Sequence, residues 1–172
     1  SLVGSEMCIR DRVNPADWGG DVLGGIRFQR ELETRAFHLG GGDFRAPVQS
    51  VGDFLAGRTG TMDFAAAPTY APGVRPADLR VLLPAECTAS LARALRHWDA
   101  RVPGFGAADI PMTGVESRSS APCRILRDAG TMEAVSAAGL YPVGEGAGYA
   151  GGIMSAALDG LKAALAFLGK IK

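Results

Sequence analysis

The sequence lacks most of the features that mark charged, disulfide-bonded or metal-binding proteins. It has only three cysteines and two histidines among 172 residues, and eighteen acidic residues balance eighteen basic ones. Three cysteines far apart in the chain argue against a disulfide framework and indicate the cytoplasm or another reducing compartment, an organelle included. A chain without net charge has no field to attract nucleic acid or an anionic membrane surface. We therefore expect no metal, no nucleic-acid partner and no membrane association.

Recognisable catalytic motifs are also missing. Neither histidine belongs to a nucleophile–base pair, no G-x-S-x-G elbow occurs, and no pair of Cys or His has metal-ligand spacing. The carboxylates are scattered, so the sequence does not identify catalytic residues.

Glycine is what the sequence does have, and it concentrates in one stretch. Residues 139–168 predict a short strand at Leu140–Val143, a loop at Gly144–Gly152 and a helix at Ile153–Leu168. The loop holds five glycines in nine residues: Gly144, Gly146, Gly148, Gly151 and Gly152. Glycine permits close backbone approach, and a helix N-terminus presents unpaired N–H groups and partial positive charge. This pattern predicts backbone laid against a ligand, with the Glu145 carboxylate placed to accept hydrogen bonds from ligand hydroxyls.

Three of these glycines fit G-x-G-x-x-G, the dinucleotide fingerprint. That fingerprint requires a second strand after the helix and an acidic residue about 20 residues further on. The sequence given ends at Lys172, directly after the predicted helix. We therefore expect a last strand and helix that close a sheet begun elsewhere.

The rest of the chain predicts a mixture of helices and strands. Apolar spacing and capping signals favour helices over Asp17–Leu39, from Ser50 to Gly57, and from Pro84 to Arg101. Strands are predicted at Ile110–Ser117 and Arg124–Arg127, and residues 59–76 read as a loop. The fold class is α/β, or α+β.

Two blocks of sequence resemble a largely uncharacterised family of FAD-dependent dehydrogenases. One runs from Thr113 as TGVESRSSAPCRILRD and continues to GLYPVGEGAGYAGGI; the other is GGIRFQRELETRAFHLGGGDFRAPVQSVGDFLAG. The resemblance covers much of residues 20–164 and matches the C-terminal end of the family. It implies that FAD is the cofactor, and a cofactor that carries the redox chemistry agrees with the absence of catalytic motifs.

The resemblance also implies roles for the loop. Gly144, Glu145 and Gly146 would lie near the ribityl chain and pyrophosphate, and Gly151, Gly152 and Ile153 near the flavin ring. Gly148 is a further candidate to contact the cofactor. The turn at 118–122 would pass the reactive edge of the flavin, so Arg118, Ser119 and Ser120 are candidates to touch flavin or substrate. The alternative for that turn is a polar hairpin-like turn with Arg124 and Arg127 solvated.

A second glycine-rich run, residues 40–49, has two interpretations. It is either a helix stop followed by a turn, or a loop that lines the flavin cavity with Arg45 and Gln49.

Residues 1–12 resemble translated adaptor sequence and are predicted to be a non-native tail. Residues 13–117 would be part of a substrate-side domain, and residues 118–172 the last strand, loop and helix of a Rossmann-like FAD-binding domain. We interpret the chain as the C-terminal fragment of an oxidoreductase that exchanges hydride between an unidentified small-molecule substrate and flavin. The N-terminal FAD-binding half is expected as its partner, and the fragment alone as inactive. The alternative is a non-catalytic module whose glycine loop binds a phosphate or carboxylate.

Overall fold

The computed structural model describes residues 13–118 and 120–170, and these form two compact units. The sheet unit comprises Arg30–Val115 with residues 13–14, and the loop unit comprises Pro15–Gln29 with the described residues from Glu116 to Lys170. Helix α1 (Gly24–Leu39) contributes its first six residues to the loop unit and the others to the sheet unit. The mixture of helices with a small sheet agrees with the predicted α/β class.

The sheet unit is built on a three-stranded mixed sheet. Strand β1 (Ala46–Ser50) lies in the centre, parallel to β2 (Val74–Pro76) and antiparallel to β3 (Pro111–Thr113). Val48 faces Pro76 on one side and Thr113 on the other. The strand predicted at Ile110–Ser117 is therefore present but shorter. The region 59–76, predicted to be a loop, ends in strand β2. A strand of three residues is too short to show the alternation of apolar and polar residues that predicts a strand.

The helices of the sheet unit begin and end close to the predicted positions. Helix α2 (Val51–Ala56) starts at Ser50, whose hydroxyl accepts from the Asp53 N–H at 3.1 Å, and stops at Gly57 with φ +74°. Such a cap and a left-handed stop are the predicted signals. Helix α3 (Ala85–Asp99) follows Pro84, and a single helical turn spans Leu79–Val81.

The core of the sheet unit lies between these helices and the segment before α3. Its buried residues include Val51 and Phe54 of α2 and Leu95 of α3, packed with Leu79 and Leu82. Trp98 of α3 keeps 47% of its surface exposed. Its ring is tilted by 44° from the ring of Phe105, with 6.4 Å between the centroids.

Gln49 of β1 is fully buried and holds two other segments. Its side-chain Nε2 donates to the carbonyl of Arg58, and its Oε1 accepts from the N–H of Leu79 at 2.9 Å. A buried amide that uses its donor and its acceptor in this way stabilises the fold, because neither group is left without a partner.

The loop unit contains little regular structure besides its helices. A 3₁₀ turn at Pro15–Trp18 and two left-handed glycines, Gly19 and Gly20, precede α1, so the helix begins seven residues later than predicted. The strand predicted at Arg124–Arg127 is reduced to a single bridge between Arg127 and Ala134.

The strand predicted at Leu140–Val143 is not formed either. Pro142 has no N–H to donate to a sheet, and its carbonyl accepts from the side chain of Arg127 at 2.6 Å. The N–H of Gly144 donates to the Asp159 carboxylate at 2.9 Å. Side chains of the loop unit therefore satisfy backbone groups that a neighbouring strand would otherwise pair.

Helix α4 (Ile153–Lys170) is present as predicted, and most of its large apolar residues are exposed. Its inner face packs through Ala156, Asp159 and Ala163, with Phe167 edge-on to Tyr141 at 5.5 Å. Ile153 is 90% exposed. The opposite side, called here the outer face of α4, is apolar and more than half exposed at every large residue: Met154, Leu158, Leu161, Leu165 and Leu168. A helix that is apolar on two sides is typical of a position between two layers.

No helix within residues 13–118 and 120–170 combines the length and apolarity needed to cross a bilayer. The same residues bring together no group of three His, Cys, Asp or Glu side chains that could hold a metal ion.

Candidate functional site

The glycine loop of the loop unit starts as a tight turn. The N–H of Gly148 donates to the Glu145 carbonyl at 2.9 Å, and that of Tyr149 donates to the Gly144 carbonyl at 3.0 Å. Gly144 and Gly148 have φ of +72° and +82°. Side chains are strained at such angles, so the turn itself explains why these two positions are glycine.

Close packing adds a second requirement at Gly148. The loop lies against residues 123–125, where the N–H of Ile125 donates to the Ala147 carbonyl at 3.2 Å. A Cβ at Gly148 would lie 2.6 Å from the Cys123 carbonyl oxygen, far closer than any real contact. Gly148 is therefore required by the fold, whether or not a ligand is present.

The other three glycines of the loop have no such explanation. Gly146, Gly151 and Gly152 do not have positive φ. A Cβ at Gly146 or Gly151 would meet nothing within 4 Å, and one at Gly152 would make only an ordinary contact with Ser155. Their backbone borders open space. A ligand, or another part of a longer protein, that approaches the backbone closely would require glycine here.

A buried ion pair anchors this loop to α4. Two nitrogens of Arg127 donate to the two oxygens of Asp159, at 2.6 and 2.9 Å, and the two side chains are only 8% and 12% exposed. Arg127 also lies over the Tyr149 ring, 3.6 Å from its centroid. Since Asp159 accepts from Gly144 as well, one carboxylate connects the arginine, the loop and the helix.

The electrostatics of this pair follow from its geometry. The pKa of Asp159 is lowered from 3.8 to about 2, chiefly by the hydrogen bonds from Arg127, with the Gly144 N–H acting in the same direction and burial opposing both. The same hydrogen bonds raise the pKa of Arg127 above its ordinary value. Both groups are charged at neutral pH, so the anchor is intact under ordinary conditions.

The turn predicted to contact flavin or substrate lies in the same unit. Gln29 of α1 donates from its amide to the carbonyls of Ser117 and Ser120, at 2.9 and 3.5 Å. Arg118 and Ser120 are exposed, and Ser119 lies outside the described residues. The amide of Gln29 thus holds the backbone of this turn at Ser117 and at Ser120.

The turn and the glycine loop meet at one concavity. It measures about 320 Å³ and is lined by Ser120, Ala121, Arg124 and residues 148–151. The structure therefore brings Ser120 beside Gly148 and Gly151, as one site. Glu145, Gly146 and Ile153 are exposed and do not line it, and neither does the buried Gly144.

The two remaining candidates lie in the sheet unit. Arg45 is exposed and paired with Asp43 at 2.8 Å, which lowers the pKa of that carboxyl. Gln49 is buried in β1, with its amide engaged by Arg58 and Leu79. In this structure Gln49 supports the sheet, in place of the cavity-lining role predicted for it. Residues 40–45 thus agree with the simpler interpretation, a helix stop followed by a turn, and β1 follows them, which neither interpretation predicts.

Sequence reasoning missed the residues that build the site. The sequence predicts solvated Arg124 and Arg127 in one of its two interpretations of the turn, and it predicts no site role for Asp159 or Tyr149. Asp159 did carry a signal, because a carboxylate inside an otherwise apolar helix needs a partner if the helix is buried. The identity of that partner depends on tertiary packing across 32 residues of sequence.

Comparison with known proteins agrees with the predicted family. A family model described as FAD-dependent protein, C-terminal domain-like, matches residues 7–119, which is more than half of the chain. The match begins inside the segment predicted to be a non-native tail and ends before the glycine loop. An uncharacterized protein of Clostridium beijerinckii is 44% identical over 153 residues, which are 88% of this chain and 28% of that protein. The chain thus spans less than a third of that relative's length, and it belongs to the family of FAD-dependent proteins with this C-terminal domain.

Proposed function

We propose that this chain is the C-terminal, cofactor-contacting part of an FAD-dependent oxidoreductase that exchanges hydride between a small-molecule substrate and flavin. The family description supports the association with FAD. The observation that carries the proposal is the set of glycines without a structural reason, Gly146, Gly151 and Gly152, whose backbone borders open space. A flat cofactor that lies against the backbone would supply that reason.

The residues of the loop unit divide the work of holding such a cofactor. Gly144, Glu145 and Gly146 would contact its polar chain, with the Glu145 carboxylate accepting from hydroxyls. Gly148, Gly151 and Gly152 would contact the ring, and Ile153 would cover it with an apolar side chain. Arg118, Ser119 and Ser120 would face the substrate. Bound FAD supplies a two-electron acceptor; the protein supplies orientation and an environment of fixed dipoles.

The outer face of α4 supports a further part of the proposal. We propose that the part of the longer protein that holds the ADP half of FAD packs on this face, and that it corresponds to the sequence of the relative outside the 28% matched here. Five large apolar side chains exposed along one helix favour a buried partner surface. In this arrangement α4 would lie between two layers, as in a Rossmann-like domain.

The chain can be tested inside a complete protein. In a chimera, this chain replaces the matching segment of the Clostridium beijerinckii relative, and visible flavin absorbance is measured after purification. We expect a yellow chimera, and colourless chimeras from Gly151→Val and Gly152→Val, because the new side chains occupy the space beside the backbone. Ala137→Val, at an exposed position outside the loop, is the matched control and should stay yellow.

A folded chimera that neither carries nor binds FAD would refute the proposal. If that chimera bound a phosphate or carboxylate compound instead, the alternative of a non-catalytic binding module would be favoured. The isolated chain should bind FAD weakly or not at all, and tight stoichiometric binding would contradict the need for a second FAD-holding part.

The α4 proposal has its own test. Leu161→Glu should leave the isolated chain folded, since this side chain is 56% exposed, but should prevent the chimera from accumulating as a soluble flavoprotein. Lys162→Glu, on the same helix but outside the outer face, should have little effect on either protein. Equal tolerance of Leu161→Glu in both proteins would exclude a partner surface there.

A further inference from the structure

Arg124 lies in the concavity with its guanidinium held in place. Its Nε–H donates to the Gly148 carbonyl at 2.8 Å, and the guanidinium lies over the Tyr149 ring, 4.9 Å from the centroid. Arg124 is nevertheless exposed, and Ser120 and Ala121 line the same concavity. An arginine has five N–H donors, so the contact through Nε leaves the outer edge of the fork unused.

The charge of Arg124 is not neutralised within the described parts of the chain. Residues 13–118 and 120–170 place no carboxylate in an ion pair with it. Arg127, three residues later, shares the same tyrosine ring but is paired with Asp159. Two guanidiniums therefore approach one ring, and Arg124, the one beside the concavity, has no carboxylate partner among the described ion pairs.

We propose that Arg124 recognises an oxyanion, a carboxylate or a phosphate, on the ligand that enters this concavity. A guanidinium with its outer N–H groups open matches the two oxygens of such a group, and a fixed orientation reduces the entropy lost on binding. The hydroxyl of Ser120 and the backbone of residues 148–151 provide further polar groups around it. The inference deepens the proposed function, because it assigns a chemical class to the ligand of the same site.

The test uses the isolated chain and does not depend on flavin. The ¹⁵N-labelled protein is titrated separately with benzoate, inorganic phosphate, FMN and riboflavin, and the resonances of Arg124 Nε–H and the amides of residues 148–151 are followed. We expect saturable shifts with at least one of the first three compounds. Arg124→Gln should weaken that binding about tenfold or more, because it removes a charge-assisted hydrogen bond. Arg101→Gln, at an exposed arginine in the sheet unit, is the matched control.

The four compounds separate the sources of the anion. Shifts with benzoate point to a carboxylate, and shifts with phosphate or FMN point to a phosphate. The Arg124 Nε–H resonance of the unmodified chain is a second readout that needs no folded variant. The proposal is overturned if none of the three anions shifts that resonance, or if Arg124→Gln binds them as the unmodified chain does. Riboflavin shifts alone would sink the anion assignment and leave the flavin proposal. The flavin proposal fails separately, if the folded chimera neither carries nor binds FAD, so the two failures are distinguishable.

Discussion

Removal of Arg127 should destabilise the loop unit far more than removal of an exposed arginine. Arg127→Met leaves a methionine of similar length beside Tyr149 and takes away both hydrogen bonds to Asp159 and the one to the Pro142 carbonyl. The carboxylate of Asp159 then remains mostly buried with the N–H of Gly144 as its remaining described donor.

The size of the effect follows from the contacts. The shift of the Asp159 pKa from 3.8 to about 2 corresponds to about 2 kcal/mol of favourable interaction. The hydrogen bond to Pro142 and the contact with the Tyr149 ring contribute about 1 kcal/mol each. These terms overlap, so we expect a loss of about 3 kcal/mol, within the range for breaking a buried pair.

The assay uses one tryptophan in each unit. The sequence has two, Trp18 in the loop unit and Trp98 in the sheet unit. In a Trp98→Phe background, Trp18 fluorescence reports urea unfolding of the loop unit alone. A double-mutant cycle of Arg127→Met and Asp159→Asn should give a coupling free energy of about 2 kcal/mol.

The control is Arg27→Met in the same background. Arg27 forms an ion pair with Asp21 in the same unit, but both side chains are about half exposed or more, and such pairs contribute less than about 1 kcal/mol. The reasoning fails if Arg127→Met costs no more than Arg27→Met, or if the two changes of the cycle are additive.

Three further predictions use the same tryptophan reporters. Gly148→Ala should lower the free energy of unfolding of the loop unit by about 2 kcal/mol or more, because of its φ of +82° and the nearby Cys123 carbonyl; Gly151→Ala should stay within about 0.5 kcal/mol, and equal effects would contradict the distinction. Because the pKa of Asp159 is depressed in the folded state, its contribution to the free energy of unfolding is complete above pH 3.8 and is lost as pH falls towards about 2. Over this range the free energy of unfolding of Asp159→Asn should fall by about 2 kcal/mol less than that of the unmodified chain. Parallel pH profiles of the two proteins would argue against this contribution. Ser50→Ala, followed by Trp98, should cost about 1 kcal/mol by loss of the α2 cap, whereas an unchanged urea midpoint would show that the hydrogen bond to Asp53 contributes nothing.

Local signals were sufficient for α2, α3 and α4, whereas α1 begins seven residues later than predicted. Ser50, Gly57 and Pro84 mark helix ends by interactions within a few residues, and the structure places the ends there. The class, helices with a small sheet, followed from the same local patterns. Strand β2 and the strand expected at Leu140–Val143 depended on partners elsewhere in the chain, and there local reasoning failed.

The site was predictable only in part. The composition of the loop indicated a ligand-facing backbone, and the structure brings Ser120 and Gly151 to one concavity. The fold requires glycine at Gly148 but not at Gly151, and the sequence alone could not show this difference. It depends on how close a Cβ at Gly148 would come to the Cys123 carbonyl oxygen. Neither interpretation of the turn predicts a buried Arg127, because its burial depends on Asp159, an acid that is distant in sequence.

The side-chain hydrogen bonds of Gln49 affect how the sheet unit tolerates proteolytic cleavage of its backbone. Upstream of the long connection between α2 and β2, the Arg58 carbonyl is held by Gln49 and the Thr61 N–H by Asp53. Downstream, Val74–Pro76 is paired with β1. A protease nick within residues 62–73 would therefore leave both new ends tethered, and the two pieces should remain associated as a split protein.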